Sequence, residues 1–212
     1  MLKLLFLGKH DNHYFADDSY YEIDPVYSSS TLIQTNNRNI LVDTGFYSVT
    51  DLLLQKLKEN NLEPEDITDI ITTHYHLDHA ANNVLFKNAI KYNPSGMSFP
   101  DGRTRIYLDK SKRTSPPGIQ IIQTEGHVYS HCSVIYKWAG KTYVCCGDAF
   151  RHDWWDKDQP FHAENFEKAI KSLRKIFEIA DVIIPGHDKI LEGKDLEIMK
   201  KIVEKKLKEW EH

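Results

Sequence analysis

Short apolar runs separated by turn residues mark out β-strands in the first half of the chain. The polar residues 36–39, Asn-Asn-Arg-Asn, are flanked by two such runs and predict a β-hairpin. Residues 50–60 carry apolar side chains at helical spacing and predict a helix. Residues 8–27 show no period, so we expect a polar, aromatic loop there. The predicted strands cover residues 2–7, 29–35, 39–45 and 66–73.

The second half repeats this mixture of strands and helices. Residues 163–180 place their apolar side chains on one stripe, as in an amphipathic helix, and the tail from Leu196 to Trp210 has similar spacing. Because no linker divides the 212 residues, we expect one domain over residues 1–212 with a layered α/β arrangement. The further predicted strands cover residues 105–109, 118–124, 132–138, 141–148 and 181–185.

Charge and cysteine usage narrow the class of protein. The net charge of -4 gives no reason to expect broad electrostatic binding of nucleic acid. No apolar stretch reaches the length of a membrane span, so no membrane partner is expected, and the N-terminal run is typical of a strand rather than a signal peptide. Of the three cysteines, Cys145 and Cys146 are neighbours that would face opposite sides of a strand, which disfavours a disulfide framework. We therefore expect a reduced, cytoplasmic protein; an oligomer is compatible with the sequence.

Four potential metal ligands stand within six positions directly after a predicted strand: His74, His76, Asp78 and His79. Each of these side chains is costly to bury without a partner. Side chains two apart on a strand share a face, so His74 and His76 are expected to converge. Asp78 would begin a helix over residues 79–86 and, with His79, need not reach the same point. This one segment can therefore serve two neighbouring metal ions.

Further potential ligands follow other predicted strands. His127, Asp148 and His187 each come directly after a glycine at the end of such a strand. Glycine at these places allows a sharp turn and a close approach of the backbone to a site. His131 and Asp188 stand nearby. A single histidine of this kind is as readily structural as functional, but the repeated pattern indicates a site.

These motifs together resemble those of the metallo-β-lactamase superfamily. The matching stretches, in the family's order, are VDTG at 42–45, THYHLDH at 73–79, TEGHVYSH at 124–131, GDAF at 147–150 and PGHD at 185–188. The resemblance implies an α/β fold, a four-layer α-β-β-α sandwich of two mixed β-sheets with the ligands on loops at one edge. Glu125 stands where the family usually has proline, but this departure removes no ligand.

The resemblance also implies a role for each residue of the site. The expected ligands are His74, His76 and His127 for the first metal, Asp78, His79 and His187 for the second, and Asp148 as the bridge. Asp43 resembles the family's buried carboxylate, which orients metal-bound histidines, although an aspartate closing a turn is the alternative. His131 is expected beside the ligands rather than among them.

Such a site implies a metal-dependent hydrolase. Two divalent ions, zinc before iron or manganese, would share a hydroxide that attacks an ester, thioester or lactone-type small molecule. Asp78 is the expected catalytic residue, orienting the nucleophile and handling a proton. Two alternatives remain: a small metal-dependent nuclease or phosphodiesterase, with nucleic acid as partner, and a mononuclear iron persulfide dioxygenase. A binding protein without activity is disfavoured, because the ligand set is complete.

Two aromatic stretches, 8–27 and 150–162, are candidates for substrate selection. Lactone-hydrolysing members often carry a tyrosine where this chain has Arg151, which weakens the case for acyl-homoserine lactones. Arg151 would hold a carboxylate or phosphate, or else form a plain salt bridge. The aromatic residues would line a pocket, or else cover the core. The residues proposed to contact substrate are Tyr14, Tyr20, Arg151, Trp154 and Trp155.

Overall fold

Two mixed β-sheets carry the fold in the computed structural model, which describes residues 1–14, 21–35, 37–156 and 162–210. The seven-stranded sheet contains, in spatial order, β1 (Leu2–Phe6), β4 (Ser30–Thr35), β5 (Arg38–Val42), β6 (Asp69–Ile71), β7 (Ile90–Asn93), β8 (Gly96–Ser98) and β9 (Thr104–Ile106). Its central strands β5, β6 and β7 run parallel and the outer pairs run antiparallel.

The five-stranded sheet is formed by the second half of the chain. It contains, in order, β10 (Gln120–Gln123), β11 (Cys132–Trp138), β12 (Lys141–Gly147), β13 (Val182–Pro185) and β14 (Leu191–Glu192). Strands β12 and β13 are parallel, so a connection must cross between them, and that connection contains a long helix. The helices are α1 (Thr50–Lys58), α2 (Leu77–Ala80), α3 (Asp153–Asp156), α4 (Phe166–Ile179) and α5 (Gly193–Trp210).

Side chains that alternate along the strands separate the interior into three apolar layers. In β4, Leu32 packs with the side chains of α1, whereas Ile33 faces the other sheet. In β12, Cys145 lies between the sheets, whereas Cys146 packs beneath α4 and α5. Successive strand residues point to opposite faces, so both sheets are covered on both sides. The result is the four-layer α-β-β-α sandwich that the resemblance implied.

The cysteines behave as the sequence indicated. Cys132, Cys145 and Cys146 are all buried and free. Neighbours on one strand, Cys145 and Cys146 belong to different apolar layers, which keeps their thiols on opposite faces of the sheet. Burial raises the pKa of the Cys132 and Cys145 thiols to about 12, so both are protonated at neutral pH.

The prediction of an aperiodic loop over residues 8–27 was wrong. Strands β2 (Lys9–Tyr14) and β3 (Tyr21–Tyr27) pair antiparallel as a separate two-stranded sheet. The sequence of β2 is almost wholly polar, and Pro25 interrupts the alternation of apolar and acidic residues in β3, so neither strand gave a clear period. Ser28 N–H donates to the carbonyl of Asp78, and Ser29 N–H donates to that of Gly186. These two bonds hold the hairpin over the predicted metal-ligand loops.

Other differences concern short elements. The helix predicted over residues 79–86 is a single α-helical turn, α2, continued by a 3-10 helix over Ala81–Leu85. Strands β7, β8 and β14 were not predicted, since two to four residues give too little pattern for a period. Across the described residues, every helix falls short of the length and apolar character that a membrane crossing requires.

Candidate metal centre

The predicted ligands come together at one end of the two sheets. The loop after β6 carries His74, His76, Asp78 and His79. The loops after β10, β12 and β13 carry His127, Asp148 and His187, respectively. The central strands β5, β6, β12 and β13 are paired in parallel within their sheets, so their carboxyl ends and the loops that follow lie at a common edge. Residues more than 100 positions apart thus meet in one cluster.

One group consists of three histidines. The Nδ1 atom of His76 lies 3.0 Å from Nε2 of His74 and 3.2 Å from Nε2 of His127. His74 is fully buried, whereas His76 is exposed at the mouth of the site. Three imidazole nitrogens therefore point at one small volume that is open to solvent on one side.

A second group combines a carboxylate with two buried histidines. Oδ2 of Asp78 lies 3.4 Å from Nε2 of His79 and 3.2 Å from Nε2 of His187. Both histidines are completely buried, whereas Asp78 keeps partial contact with solvent. This group lies next to the first, because the rings of His74 and His79 are 4.1 Å apart between centroids.

Asp148 stands between the two groups. Its Oδ1 atom is 3.2 Å from Nε2 of His79 and 3.4 Å from Nε2 of His187. Its other oxygen, Oδ2, is 3.7 Å from Nε2 of His127. One carboxylate therefore presents a different oxygen to each group, which is the geometry that a bridging ligand requires.

The donor atoms fit metal ions in number and spacing. Ligand atoms at about 2.0–2.1 Å from a tetrahedral zinc ion lie about 3.3 Å from one another, close to the separations found here. Nε2 of His79, Nε2 of His187 and Oδ1 of Asp148 are also buried without a hydrogen-bond partner in the described structure. Buried polar atoms are normally satisfied, so these three indicate that the cluster is built to bind a cation.

Three of the histidines are oriented by a partner on their other nitrogen. Nδ1 of His79 donates to Oδ2 of Asp43 at 2.8 Å, and Nδ1 of His127 donates to the carbonyl of His162. Nδ1 of His187 donates to the carbonyls of Lys9 and Tyr27, each at 3.1 Å, in the hairpin that was predicted as a loop. In the neutral rings, Nε2 is then the nitrogen with a lone pair, and it faces the site.

Asp43 serves both groups of histidines. It follows β5 with a positive φ of 52°, a conformation that aspartate tolerates better than most residues. Its Oδ1 accepts from the Thr73 N–H at 2.7 Å, and its Oδ2 accepts from the Thr73 hydroxyl at 2.8 Å. Because that hydroxyl donates to Asp43, it is left to accept from Nδ1 of His74, 3.2 Å away. The same carboxylate thus orients His79 directly and His74 through Thr73.

Opposite charges are matched within the buried second group. Burial opposes charge on His79, but the carboxylates of Asp148 and Asp43 outweigh it and raise the pKa of His79 well above its ordinary value. Burial also lowers the pKa of His187, but Asp148 and Asp78 outweigh it, so the net shift is upward. A cation bound at these two Nε2 atoms would therefore compete with protons for them.

In the first group, burial holds His74 neutral instead. Burial, reinforced by the neighbouring charge on His79, lowers the pKa of His74 well below its ordinary value. His131 stacks on His74 with 5.0 Å between ring centroids, and burial lowers the pKa of His131 to about 3. The Nδ1 atom of His131 is 2.9 Å from the Thr124 hydroxyl. His131 therefore packs behind the ligand cluster, beside rather than among its donor atoms.

Two glycines let the backbone approach the cluster. A methyl group added to Gly186 would overlap the carboxylate of Asp148 and come within 2.7 Å of Cε1 of His79. One added to Gly147, whose φ is +49°, would overlap the Thr73 side chain. Glycine is thus required by space before both ligands, and at Gly147 by the positive φ as well.

A pocket of about 470 Å³ opens onto the cluster. Its lining combines apolar side chains with polar and charged ones. The apolar lining residues are Ile23, Val26, Phe46 and Leu77, and the polar ones beyond the candidate ligands are His10, Arg151 and His162. His10, His162 and the hairpin carbonyls were not found from the sequence, since no motif marks them.

The proposed substrate contacts need correction. Trp154 and Trp155 do not line the pocket: they are only 3% and 1% exposed and belong to the apolar layer beneath α4 and α5. The Trp154 ring also approaches the ring of His127, with 5.8 Å between centroids. Arg151 does line the pocket, but Asp153 binds it through two bonds of 2.6 and 3.1 Å, the salt-bridge alternative. The side chain of Tyr14, and Tyr20 as a whole, lie outside the described residues.

Comparison with known proteins agrees with this geometry. The sequence model of the metallo-beta-lactamase superfamily matches residues 23–98. A protein described as "Probable metallo-hydrolase" from Methanocaldococcus jannaschii is 38% identical over 155 residues, 72% of each chain. Metallo-beta-lactamase domain-containing protein 1 of Xenopus laevis is 34% identical over 75% of this chain and 70% of its own.

A solved structure shares the fold. It is an N-acyl homoserine lactone hydrolase with the product N-hexanoyl-L-homoserine bound at its catalytic metal centre, and it superposes with a TM-score of 0.62. The identity is 21%, over 88% of this chain and 92% of that one. By its sequence relatives and its fold, this chain belongs to the metallo-β-lactamase superfamily and is a metal-dependent hydrolase.

Proposed function

We propose that the cluster holds two divalent metal ions, zinc before iron or manganese, and that the protein hydrolyses an ester, thioester or lactone of a small molecule. The observation that carries this proposal is the position of Asp148, whose two oxygens face two different groups of donor atoms. Under this assignment His74, His76 and His127 would hold the first ion, Asp78, His79 and His187 would hold the second, and Asp148 would serve both.

Two ions at such a centre supply a hydroxide nucleophile at neutral pH and polarise the oxygen of the scissile group. The protein orients the donor atoms through hydrogen bonds on the side of each ring that faces away from the site. Asp43 and the carbonyls of Lys9 and Tyr27 fix the imidazole rings, so the site is set before substrate enters.

Asp78 is the residue proposed to handle a proton. Burial of its carboxyl opposes ionisation, but the neighbouring imidazoles of His187 and His79 outweigh it, so its pKa falls to about 2 and it is ionised at neutral pH. It lines the pocket and keeps partial contact with solvent, unlike the buried Asp148. An ionised carboxylate at the pocket wall can accept the proton that the nucleophile loses and return it to the leaving group.

The pocket walls support an acyl substrate. An apolar group would rest on Ile23, Val26, Phe46 and Leu77, and the scissile bond would then lie toward the donor cluster. A neighbour with the same fold acts on an N-acyl homoserine lactone, a substrate that combines an acyl chain with a cyclic ester. This likeness supports the substrate class.

The test combines metal analysis with a substrate panel. We expect close to two ions per chain by elemental analysis, and metal-dependent hydrolysis of lactones, thioesters or aryl esters. Faster cleavage of phosphodiesters or single-stranded nucleic acid would promote the nuclease alternative. A single bound iron with oxygen consumption on a persulfide would replace the hydrolase proposal by the dioxygenase.

A further inference from the structure

The pocket lining contains a histidine outside the ligand groups. His10 lies on β2, in the two-stranded hairpin, and its ring meets that of His187 edge to face, with 5.1 Å between centroids. Its Nδ1 atom lies 2.9 Å from Nη2 of Arg151, a residue 141 positions later in the chain. The hairpin and the loop after β12 thus make one polar wall.

Arg151 is held rigidly for this contact. Its Nε and Nη2 atoms donate to the two oxygens of Asp153 at 3.1 and 2.6 Å, and its guanidinium lies 5.1 Å from the centre of the Trp154 ring. Both Arg151 and Asp153 are buried, and their charges compensate one another. Arg151 therefore acts on the pocket through His10 more than as a free cation.

The chemistry of the guanidinium determines the tautomer of His10. Arginine has only donors, so Nδ1 of His10 must accept, and the ring hydrogen of the neutral form must be on Nε2. A ring nitrogen that accepts a hydrogen bond carries no proton, so this contact requires a neutral His10 ring. Within the described residues, Nδ1 is the ring nitrogen that has a hydrogen-bond partner.

We propose that His10 is a substrate-binding residue whose Nε2–H, fixed by the Asp153–Arg151 pair, donates a hydrogen bond to an uncharged carbonyl or ester oxygen of the substrate. This rests on the proposed hydrolase function and narrows its substrate. A neutral donor beside a compensated arginine offers no net charge to an anion. The polar wall therefore favours a lactone or ester over a phosphodiester.

The first test reads the tautomer and needs no catalysis. Two-bond ¹H–¹⁵N spectra of the metal-loaded protein should show His10 with its proton on Nε2 at pH 7. Arg151→Met should convert it to a mixture of tautomers. An unreactive γ-lactam should shift the His10 Nε2 resonance, and dimethyl phosphate should not. A proton on Nδ1, a doubly protonated ring, or a shift caused by the phosphate instead of the lactam would overturn the proposal.

The second test measures hydrolysis. His10→Leu keeps the volume and removes the donor, so kcat/KM for a lactone or ester should fall by about 10- to 100-fold with both ions retained. His10→Gln places an amide N–H near the position of Nε2 and should restore most of that loss. Asp11→Asn, an exposed change on the same strand, is the control and should leave kcat/KM unchanged.

The outcomes separate the two proposals. Wild-type protein that binds no metal and hydrolyses nothing would refute the proposed function, while the spectra still decide the role of His10. An active, metal-loaded His10→Leu protein with unchanged kcat/KM would refute the role of His10 alone.

Discussion

The carboxylate of Asp43 lies 2.8 Å from Nδ1 of His79 and also binds Thr73, whose hydroxyl contacts His74. One buried anion therefore orients a histidine in each candidate metal group. We expect Asp43→Asn to weaken metal binding by about 10- to 100-fold, because its amide cannot accept all of these bonds. Chelator competition measures this affinity. Asp51→Asn on α1 is the matched exposed control, and equal affinities in the two variants would contradict the orienting role.

Asp148 gives a sharper test of the two-ion centre. Asp148→Asn removes the charge that faces both groups, so hydrolysis should fall by at least about 100-fold, each tenfold loss adding about 1.4 kcal/mol to the barrier. The apolar layers are untouched, so the far-ultraviolet circular dichroism should not change. Asp188→Asn is the control, because asparagine tolerates the positive φ of 68° found there. Near-normal rates in Asp148→Asn would leave it as only a turn residue.

The close approach of Gly186 predicts a purely steric effect. In Gly186→Ala the new methyl group would overlap the Asp148 carboxylate and approach His79, so metal content should fall below one ion per chain. Gly140→Asn is a useful comparison, since nothing lies within 4 Å of its added Cβ and asparagine accepts a positive φ. A Gly186→Ala protein with full metal content would show that the loop moves freely.

Metal affinity should depend on pH with a definite sign. Protons compete with metal for Nε2 of His79 and His187, whose pKa values are raised by Asp148 and its neighbouring carboxylates. Affinity should therefore keep rising with pH beyond 6.5, the ordinary pKa of histidine, where unperturbed imidazoles would already have lost their protons. Chelator competition from pH 6 to 9 measures the curve. A plateau that begins at or below pH 6.5 would contradict the raised pKa values.

Trp155 should matter for stability and leave substrate binding unaffected. Its side chain is 1% exposed within the apolar layer beneath α4 and α5. Trp155→Phe should lower the free energy of unfolding by about 1–3 kcal/mol without changing KM. Urea denaturation and steady-state kinetics test the two halves of this expectation. A selective rise in KM at unchanged stability would restore the original assignment to the pocket.

Local geometry explains which features the sequence predicted. A strand has a two-residue period, which can be read from neighbouring residues. This period accounts for the spacing of His74 and His76 and for the apolar alternation of β4, β5 and β12. The placement of Asp43 and the glycines followed from motifs. The expectation of one domain over residues 1–212 stays a prediction.

Long-range contacts explain what the sequence did not reveal. The hairpin β2–β3 has an almost wholly polar first strand and a proline in its second, and bonds from Ser28 and Ser29 to distant loops set its place. The contact of His10 with Arg151 joins residues 141 positions apart, so no local pattern encodes it. The sequence analysis wrongly assigned Trp154 and Trp155 to a pocket. Their burial depends on packing against α5, about 40 or more residues later in the chain, which no local pattern reveals.

Each group of candidate ligands draws on both sheets. In each group, two ligands come from the loop after β6. The third ligand, His127 in one group and His187 in the other, follows a strand of the five-stranded sheet. An ion in either group would act as a cross-link between the two halves of the chain, closing a loop of about 50 or 100 residues in the way that a disulfide does. Removal of the ions by a chelator should then weaken the contact between the two sheets first. Native-state hydrogen exchange should become faster in the strands beside the site before it does so in the outer helices.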